Sequence, residues 1–335
     1  MKNVRQQRLK KKAPTLAAAL TRYVNEVAKP GSRKQALSLQ RIWSETRLGN
    51  RSIAAISHHE LQTMVEEWLI SLAASTVCRR FAIISHMYNV AKKTWKLPWL
   101  ENPVSLVQLP AVDDARDRRI FDRISLRGVP IEECPRSELD WILAATRSKQ
   151  LPTIVHLAVE TGMRRSEIAG IRREHIDLTA GWIYLPHTKN GSSRYVPLSP
   201  WAKYVLRLYL FDKPRRGRIF GMDPDAITKT WIRAVRMARA NYEALCAKYG
   251  RRPQGAYFHD LRFHDLRHEA TSRLAKVLQI HELAKVTGHK DTRMLLRYYH
   301  PHGGELAKKL ARSEMGRKQL ERIKILVAQE DRMAA

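Results

Sequence analysis

Five prolines between residues 98 and 136, namely Pro98, Pro103, Pro110, Pro130 and Pro135, interrupt a chain that elsewhere carries helical periodicity almost throughout. Proline lacks a backbone donor and pushes the residue before it out of the helical region, so neither a helix nor a central strand survives such a stretch. The charged run Asp113–Arg119 lies inside it. Residues 108–136 therefore read as a linker, with a domain boundary near 110, and the chain as two packed bodies. A length of 335 residues with 44% apolar content supports that division, because single cores stop growing at about 250–300 residues.

Before the linker, residues 13–107 hold four stretches with apolar side chains at i, i+3 and i+4 spacing: Leu16–Val27, Lys34–Thr46, His58–Leu72 and Ser75–Trp95. The last has Ser75 or Thr76 as its candidate cap, and Val77, Phe81, Ile84, Met87 and Ala91 as its stripe. Arg79, Arg80, Lys92 and Lys93 flank that stripe, which predicts a helical bundle with a basic face. Residues 1–12 are basic with almost nothing apolar, and read as a loose arm.

After the linker, Ser137 with Asp140 three residues later opens a helix, and Gly162 closes another over Pro152–Thr161. Trp182–Leu185 and Tyr195–Leu198 read as strands joined by the tight turn at Asn190-Gly191. Helices follow at about 202–211, 225–247, 264–277, 281–287 and 292–299, bringing the second body to residue 303. A tail over 304–335 has apolar stripes at Leu306 and Leu310, then Leu320, Ile323 and Val327. The fold class expected is mainly α with a small antiparallel β-sheet.

Charge narrows the partner. Lys and Arg number 61 against 32 for Asp and Glu, a net +29, which strains an isolated globule and calls for a polyanion. DNA, RNA or an anionic membrane surface would serve. No run of 18 apolar residues occurs and no secretory apolar segment follows the basic start, so we expect no membrane span and a cytoplasmic protein. Cys78, Cys134 and Cys246 are too dispersed for a metal knuckle or a disulfide framework. Glycine-rich phosphate loops, His-Glu-x-x-His pairs and Gly-x-Ser-x-Gly elbows are absent from the sequence. We expect no cofactor and no metal.

Four local signals remain. Thr161-Gly162-Met163-Arg164 presents an arginine at a turn, with Glu167 placed to orient it; a solvated or DNA-backbone arginine is the simpler alternative. Lys189 stands at the mouth of the hairpin, where surface lysines are common. His264-Asp265-Leu266-Arg267-His268 opens a helix whose buried stripe is Leu266, Ala270, Leu274 and Val277. Spacing of three places His264 and Arg267 together off that stripe, an arrangement that suits a phosphate clamp. Phe258-His259-Asp260-Leu261-Arg262 repeats the same five residues just upstream, leaving His259 and Arg262 as second choice. Finally Gly288-His289 precedes Tyr298-Tyr299-His300, and helical periodicity does not choose between the two tyrosines.

Two arginines, a lysine, two histidines and a tyrosine suit phosphodiester transfer by covalent catalysis: cations for the developing phosphoryl charge, an acid for the leaving oxygen and a nucleophile. The ordered set Arg164, Lys189, His264, Arg267, His289 and Tyr298 resembles the signature of the tyrosine recombinase, or phage integrase, family. In that family an arginine follows a Thr-Gly-Met/Leu turn, a lysine sits on a hairpin, and the His-x-x-Arg-His and Gly-His boxes follow. The nucleophile lies in Tyr-x-His, which selects Tyr298. Glu167 and His268 match supporting positions. Phe263–Ala270 and Lys189–Leu198 look most like phage- and plasmid-borne integrases and shufflon-type DNA invertases. Lys290-Asp291-Thr292 departs from the small hydroxyl residues more usual there.

The resemblance covers about 15–300. It implies a helical, SAM-like core-binding domain over 13–107, a catalytic domain over 137–303, and a C-shaped clamp on duplex DNA. It implies DNA contacts from Arg79, Arg80, Lys92, Lys93, Arg165 and Arg194. Arg164, Arg267 and His289 would hold the scissile phosphate, His264 would accept the Tyr298 proton and Lys189 would protonate the leaving 5′ oxygen. The expected partner is double-stranded DNA with paired recombination sites, bound by a homotetramer in the synaptic complex, with an accessory DNA-bending protein compatible with the scheme; the tail either docks on a neighbouring protomer or folds back on its own catalytic domain. The rival readings are relaxation of the type IB topoisomerase kind and a non-catalytic architectural DNA-binding protein.

Overall fold

The computed structural model describes residues 13–113, 116, 118–186, 192–299 and 303–334. The chain divides into two compact units, Met1–Arg116 and Asp117–Ala335.

The first unit is built from α1 (Leu16–Glu26), α2 (Pro30–Ser44), α3 (His58–Leu69) and α4 (Ala74–Lys93). Local chemistry sets their starts. Thr15 caps α1 by accepting from the Ala18 N–H at 3.2 Å, and Ser57 and Glu60 cap α3 reciprocally. α4 starts after Ala73 with no side-chain cap, so Ser75 and Thr76 lie within its first turn instead of capping it. Burial of its stripe fixes it: Val77, Phe81, Ile84, Met87 and Ala91 are all fully buried. Trp43 and Trp68 meet Phe81 edge-on at 5.3 and 5.8 Å. Asn102 ties the following segment back to α4, donating to Ser85 Oγ at 3.0 Å while its side-chain oxygen takes the Val104 N–H at 3.1 Å.

The second unit opens earlier than proline density suggests. Ile120 and Ile124 are buried in its core, and Glu138, itself fully buried, takes the Arg118 guanidinium at 2.6 Å and the Phe121 N–H at 2.9 Å. Residues 118–136 thus pack as part of this unit, although their only regular element is a 3-10 turn at Ile131–Glu133. α5 (Glu138–Ala145), α6 (Leu151–Thr161) and the short α7 (Arg165–Ala169) come next. Gly162 ends α6 with φ +64°, a left-handed turn that glycine adopts without Cβ strain.

A three-stranded antiparallel sheet follows, ordered β1 (Ile176–Asp177), β2 (Trp182–Leu185) and β3 (Arg194–Pro197). Its register pairs Ile183 with Ile176 and Val196, and Leu185 with Arg194. The Asn190-Gly191 turn lies outside the described residues. β3 begins one residue before the predicted strand, and the two-residue β1 is too short to carry alternation.

α8 (Pro200–Tyr209) and α9 (Pro224–Lys248) lead to α10 (Asp265–Leu274), α11 (Ile280–Thr287) and α12 (Arg293–Leu296). The duplicated pentapeptide adopts two backbones. In the first copy Phe258 and Asp260 have φ of 59° and 42°, which a right-handed helix forbids. The Phe258 N–H donates to buried Glu138 at 2.6 Å, and its ring packs on Tyr242 at 5.7 Å. Phe263 of the second copy anchors on Trp231 at 5.7 Å, and α10 starts two residues later. Leu266 and Ala270 of the expected stripe are buried, but Val277 is 81% exposed because α10 stops at Leu274.

The tail forms α13 (Gly303–Arg312) and α14 (Glu314–Ala334). Leu306, Leu310, Leu320, Ile323 and Val327 are all exposed. No described helix is long and apolar enough to cross a membrane.

Candidate active site

Two helix ends organise this site. The last carbonyls of a helix lack intrahelical partners and carry the negative end of its dipole, so they attract cations. α6 and α11 both finish on left-handed glycines, Gly162 and Gly288, the latter with φ +71°. Arg267, in the first turn of α10, donates to the Gly162 carbonyl and, at 2.8 Å, to the Thr287 carbonyl. Arg164 reaches the Gly288 carbonyl at 3.2 Å. Arg267 is buried rather than merely off the core, and burial, followed by the charge of Arg164, brings its guanidinium down to about 10; it remains charged at neutral pH.

Glu167 holds the second tier. Its carboxylate accepts from the Arg164 N–H at 2.7 Å and Arg164 Nη1 at 2.9 Å, and from Arg194 Nη1 and Nη2 at 2.9 and 2.8 Å. Burial pushes this carboxyl up, but the Arg194 hydrogen bonds, the Arg164 N–H and both guanidinium charges outweigh it and hold it below the ordinary glutamate range. Arg194 also donates to the Val286 carbonyl at 2.9 Å. This corrects the expectation that Arg194 contacts DNA: it is buried, and its pleat position places it on the inward face with Val196. A Cβ on Gly288 would lie 2.9 Å from Arg194 Nη1, so a larger residue there would displace the Arg194 guanidinium as well as strain the backbone at φ +71°.

His289 sits beside Arg267. Its Nδ1 lies 2.6 Å from Thr287 Oγ1 and its Nε2 3.3 Å from Arg267 Nη2. Burial, then the charges of Arg267 and Arg164, lowers it to about 4, so it is neutral at pH 7. His264 precedes α10 with its residue surface exposed but its ring crowded, edge-on to His268 at 5.1 Å. Loss of solvent around the ring, then His268 and Arg267, also lowers it to about 4.

Tyr298 follows the short α12, its ring packed against the cluster of Ala275, Leu283 and Leu295. Its hydroxyl meets Nδ1 of His268. No hydrogen bond among the described residues joins it to His264, which the sequence reading had made the proton acceptor. Burial raises the phenol above its ordinary range against the opposing pull of Arg297, Arg267 and Arg119. Tyr298 is thus a tyrosine set in the packing cluster, a placement that periodicity left open between it and Tyr299.

Lys189 lies outside the described residues. Of the other expected DNA contacts, Arg79, Lys92 and Lys93 are exposed on α4. Arg80 stacks on Trp68 with its Cζ 4.5 Å from the ring centroid, and Arg165 is half-buried, 3.6 Å from Asp225. Sequence reasoning missed Arg119, which pairs with Glu269 at 2.8 Å and lines, with Ser272, Lys276, Arg297 and Tyr298, an open cavity of about 850 Å³. Its place in the proline-rich stretch concealed it.

Two guanidinium groups on helix ends, a neutral histidine beside one of them and a phenol hydrogen-bonded to an imidazole are groups whose chemistry suits an anionic phosphoryl group next to a hydroxyl. The profile of the phage integrase family matches residues 135–304. The chain belongs to the phage integrase family. The shufflon-specific DNA recombinase of Escherichia coli is 35% identical over 243 residues, covering 71% of this chain and 54% of that protein, so the chain spans about half the length of that relative. A putative integrase/recombinase of Haemophilus influenzae is 26% identical over 294 residues, 87% of this chain and 88% of the relative. Among solved structures, the Tn1549 transposon integrase in complex with circular intermediate DNA aligns at TM-score 0.60 and 17% identity, over 90% of this chain and all of that one. A lambda integrase tetramer bound to a Holliday junction aligns at 0.61 and 18%, over 90% and 81%. At these identities the likeness is one of fold, shared by both units of this integrase-family chain.

Proposed function

We propose that the protein is a site-specific DNA recombinase that cleaves and rejoins duplex DNA through a 3′-phosphotyrosine on Tyr298. The observation that carries this reading is the phenol of Tyr298 held by an imidazole of α10, the helix whose Arg267 is braced on two helix ends. Arg164 and Arg267 receive the scissile phosphate, and His289, neutral in the free site, donates a hydrogen bond to it once the phosphate charge has protonated its ring. Oη of Tyr298 attacks phosphorus, the bond to O5′ breaks, and Lys189 protonates the leaving oxygen. The phosphotyrosine conserves the bond energy, so a 5′ hydroxyl from a partner duplex reverses the step on a new strand.

The net charge of +29 and the exposed Arg79, Lys92 and Lys93 support duplex DNA as substrate. Paired sites, four protomers in the synapse and a cytoplasmic setting complete the proposal. The exposed apolar side chains of α14 support a tail that docks on a neighbouring protomer. The outcome is integration, excision or inversion according to how the two sites are placed.

The test is covalent capture. DNA flanking the gene, nicked so that the cleaved strand diffuses away, should yield a protein–DNA adduct mapping to Tyr298. Tyr298→Phe should bind the same fragments without forming it. An adduct that persists in Tyr298→Phe and vanishes in Tyr299→Phe refutes the assignment; relaxation of supercoils with no strand exchange between sites refutes recombination.

A further inference from the structure

We propose that His268, not His264, is the general base that takes the proton of Tyr298. The inference rests on Tyr298 being the nucleophile and adds the group that activates it. Nδ1 of His268 is in hydrogen-bond contact with Tyr298 Oη, and the two rings lie 6.0 Å apart, inclined at 32°. Geometry comes first in assigning a base, and only this ring meets the requirement among the described residues.

The contact follows from how the two elements pack. The Tyr298 ring rests on Ala275 beyond the end of α10 and on Leu283 and Leu295, so its hydroxyl meets α10 at His268, one turn past His264. His264 instead lies at the exposed start of the helix, before regular hydrogen bonding begins. There its ring can donate to a phosphate oxygen on the Arg267 side, a role consistent with the neutral state that burial and its cationic neighbours impose.

The proton balance closes. His268 begins with its proton on Nε2 and Nδ1 unprotonated. The Oη proton moves to Nδ1 as the Oη lone pair forms the bond to phosphorus, the P–O5′ bond breaks and O5′ takes its proton from Lys189. When a 5′ hydroxyl attacks the phosphotyrosine, the imidazolium returns the proton to the departing phenol. Among the described residues, His268 has near it His264 on its own helix, His289 after α11 and Tyr298 after α12, while the guanidinium charges of Arg297, Arg267 and Arg119 bear on the phenol. An anionic phosphate seated among these cations favours the imidazolium that the step creates.

The experiment compares His268→Asn with His264→Asn in the full chain, on the nicked duplex that gives the wild-type adduct. Asparagine places Oδ1 near the position of Nδ1, so it can hold the hydroxyl but cannot take its proton. Expected are unchanged melting and DNA binding in His268→Asn, with adduct formation slowed roughly hundredfold. Replacing Tyr298 by a fluorinated tyrosine, a stronger acid that ionises without help, should restore most of that rate in His268→Asn and none of the loss in His264→Asn. The proposal is overturned if His268→Asn cleaves as fast as the unaltered protein, or if the fluorinated residue rescues His264→Asn and not His268→Asn. Failure of the wild-type chain to form any adduct would overturn the recombinase reading as well, which separates the two failures.

Discussion

Glu167 is the position where one atom changes most. Its carboxylate receives both Nη atoms of Arg194 and two donors of Arg164, and the side chains of Arg194 and Glu167 are only 8% and 4% exposed. Glu167→Gln keeps the shape and one acceptor oxygen but leaves Arg194 charged, buried and without a counterion. Removing one member of a buried pair costs about 3–5 kcal/mol, and the retained oxygen argues for the lower end, about 3 kcal/mol. For a unit of this size that corresponds to a fall in melting temperature of roughly 6–12 °C, at about 2–4 °C per kcal/mol.

The pH dependence carries a sign that can be checked. The folded-state value of Glu167 lies below its unfolded value, so its contribution is fully present above the ordinary glutamate range and is lost as pH falls through the lowered one. The gap between wild type and Glu167→Gln should therefore stay constant from neutral pH to about 5 and close at lower pH. Thermal melts of the second unit across that range supply the measurement. A melting temperature within about 2 °C of wild type at pH 7, below the smallest fall the buried pair allows, or a gap that widens on acidification would refute the account of Glu167 as the counterion of this tier.

Arg267→Ala should reduce adduct formation by orders of magnitude with a much smaller loss of binding, because a clamp that tightens as charge develops acts mainly in the transition state; single-turnover cleavage beside a binding titration measures both, and Arg262→Ala, on the strained first copy, should be near wild type in each. Truncation after Ala311 removes α14 with its exposed Leu320, Ile323 and Val327, and should abolish synapsis and strand exchange while melting and single-site binding stay near normal; a large fall in melting temperature with unaltered assembly would mean that the helix serves its own subunit.

Long-period features were legible in the sequence. The stripe of α4 and the strand Trp182–Leu185 rest on repeated local spacing and have the burial it implies, and the glycine stop after Thr161 rests on turn chemistry; the second and third stretches keep Leu37 and Ile70 exposed. Arg194 was legible too, but through alternation: with Tyr195 and Pro197 outward and Val196 inward, position 194 must face in, and an inward arginine demands an acid. Reading it from charge alone sent it to the surface. α7 and β1 are too short for any period to show. Ile120 and Ile124 were hidden because prolines signal irregular backbone, which is not the same as exposure.

The assignment of the base was the least legible step. His264 and His268 are four residues apart, so on a helix they would share a face; helical spacing gives no preference between them, and only the family resemblance chose His264. Which one meets the phenol depends on where the helix begins. At that start Asp265 takes the Arg262 N–H at 2.7 Å, and upstream Glu138 captures the Phe258 N–H from 120 residues away, where the first of two identical pentapeptides lies outside the helical region. The second copy opens α10 at Asp265, which leaves His264 at the margin and places Arg267 in the first turn, within reach of both helix ends. His268 is then one turn further along, level with the hydroxyl of Tyr298. A buried glutamate that touches neither histidine thus belongs to the packing that brings His268, and not His264, to the hydroxyl of Tyr298.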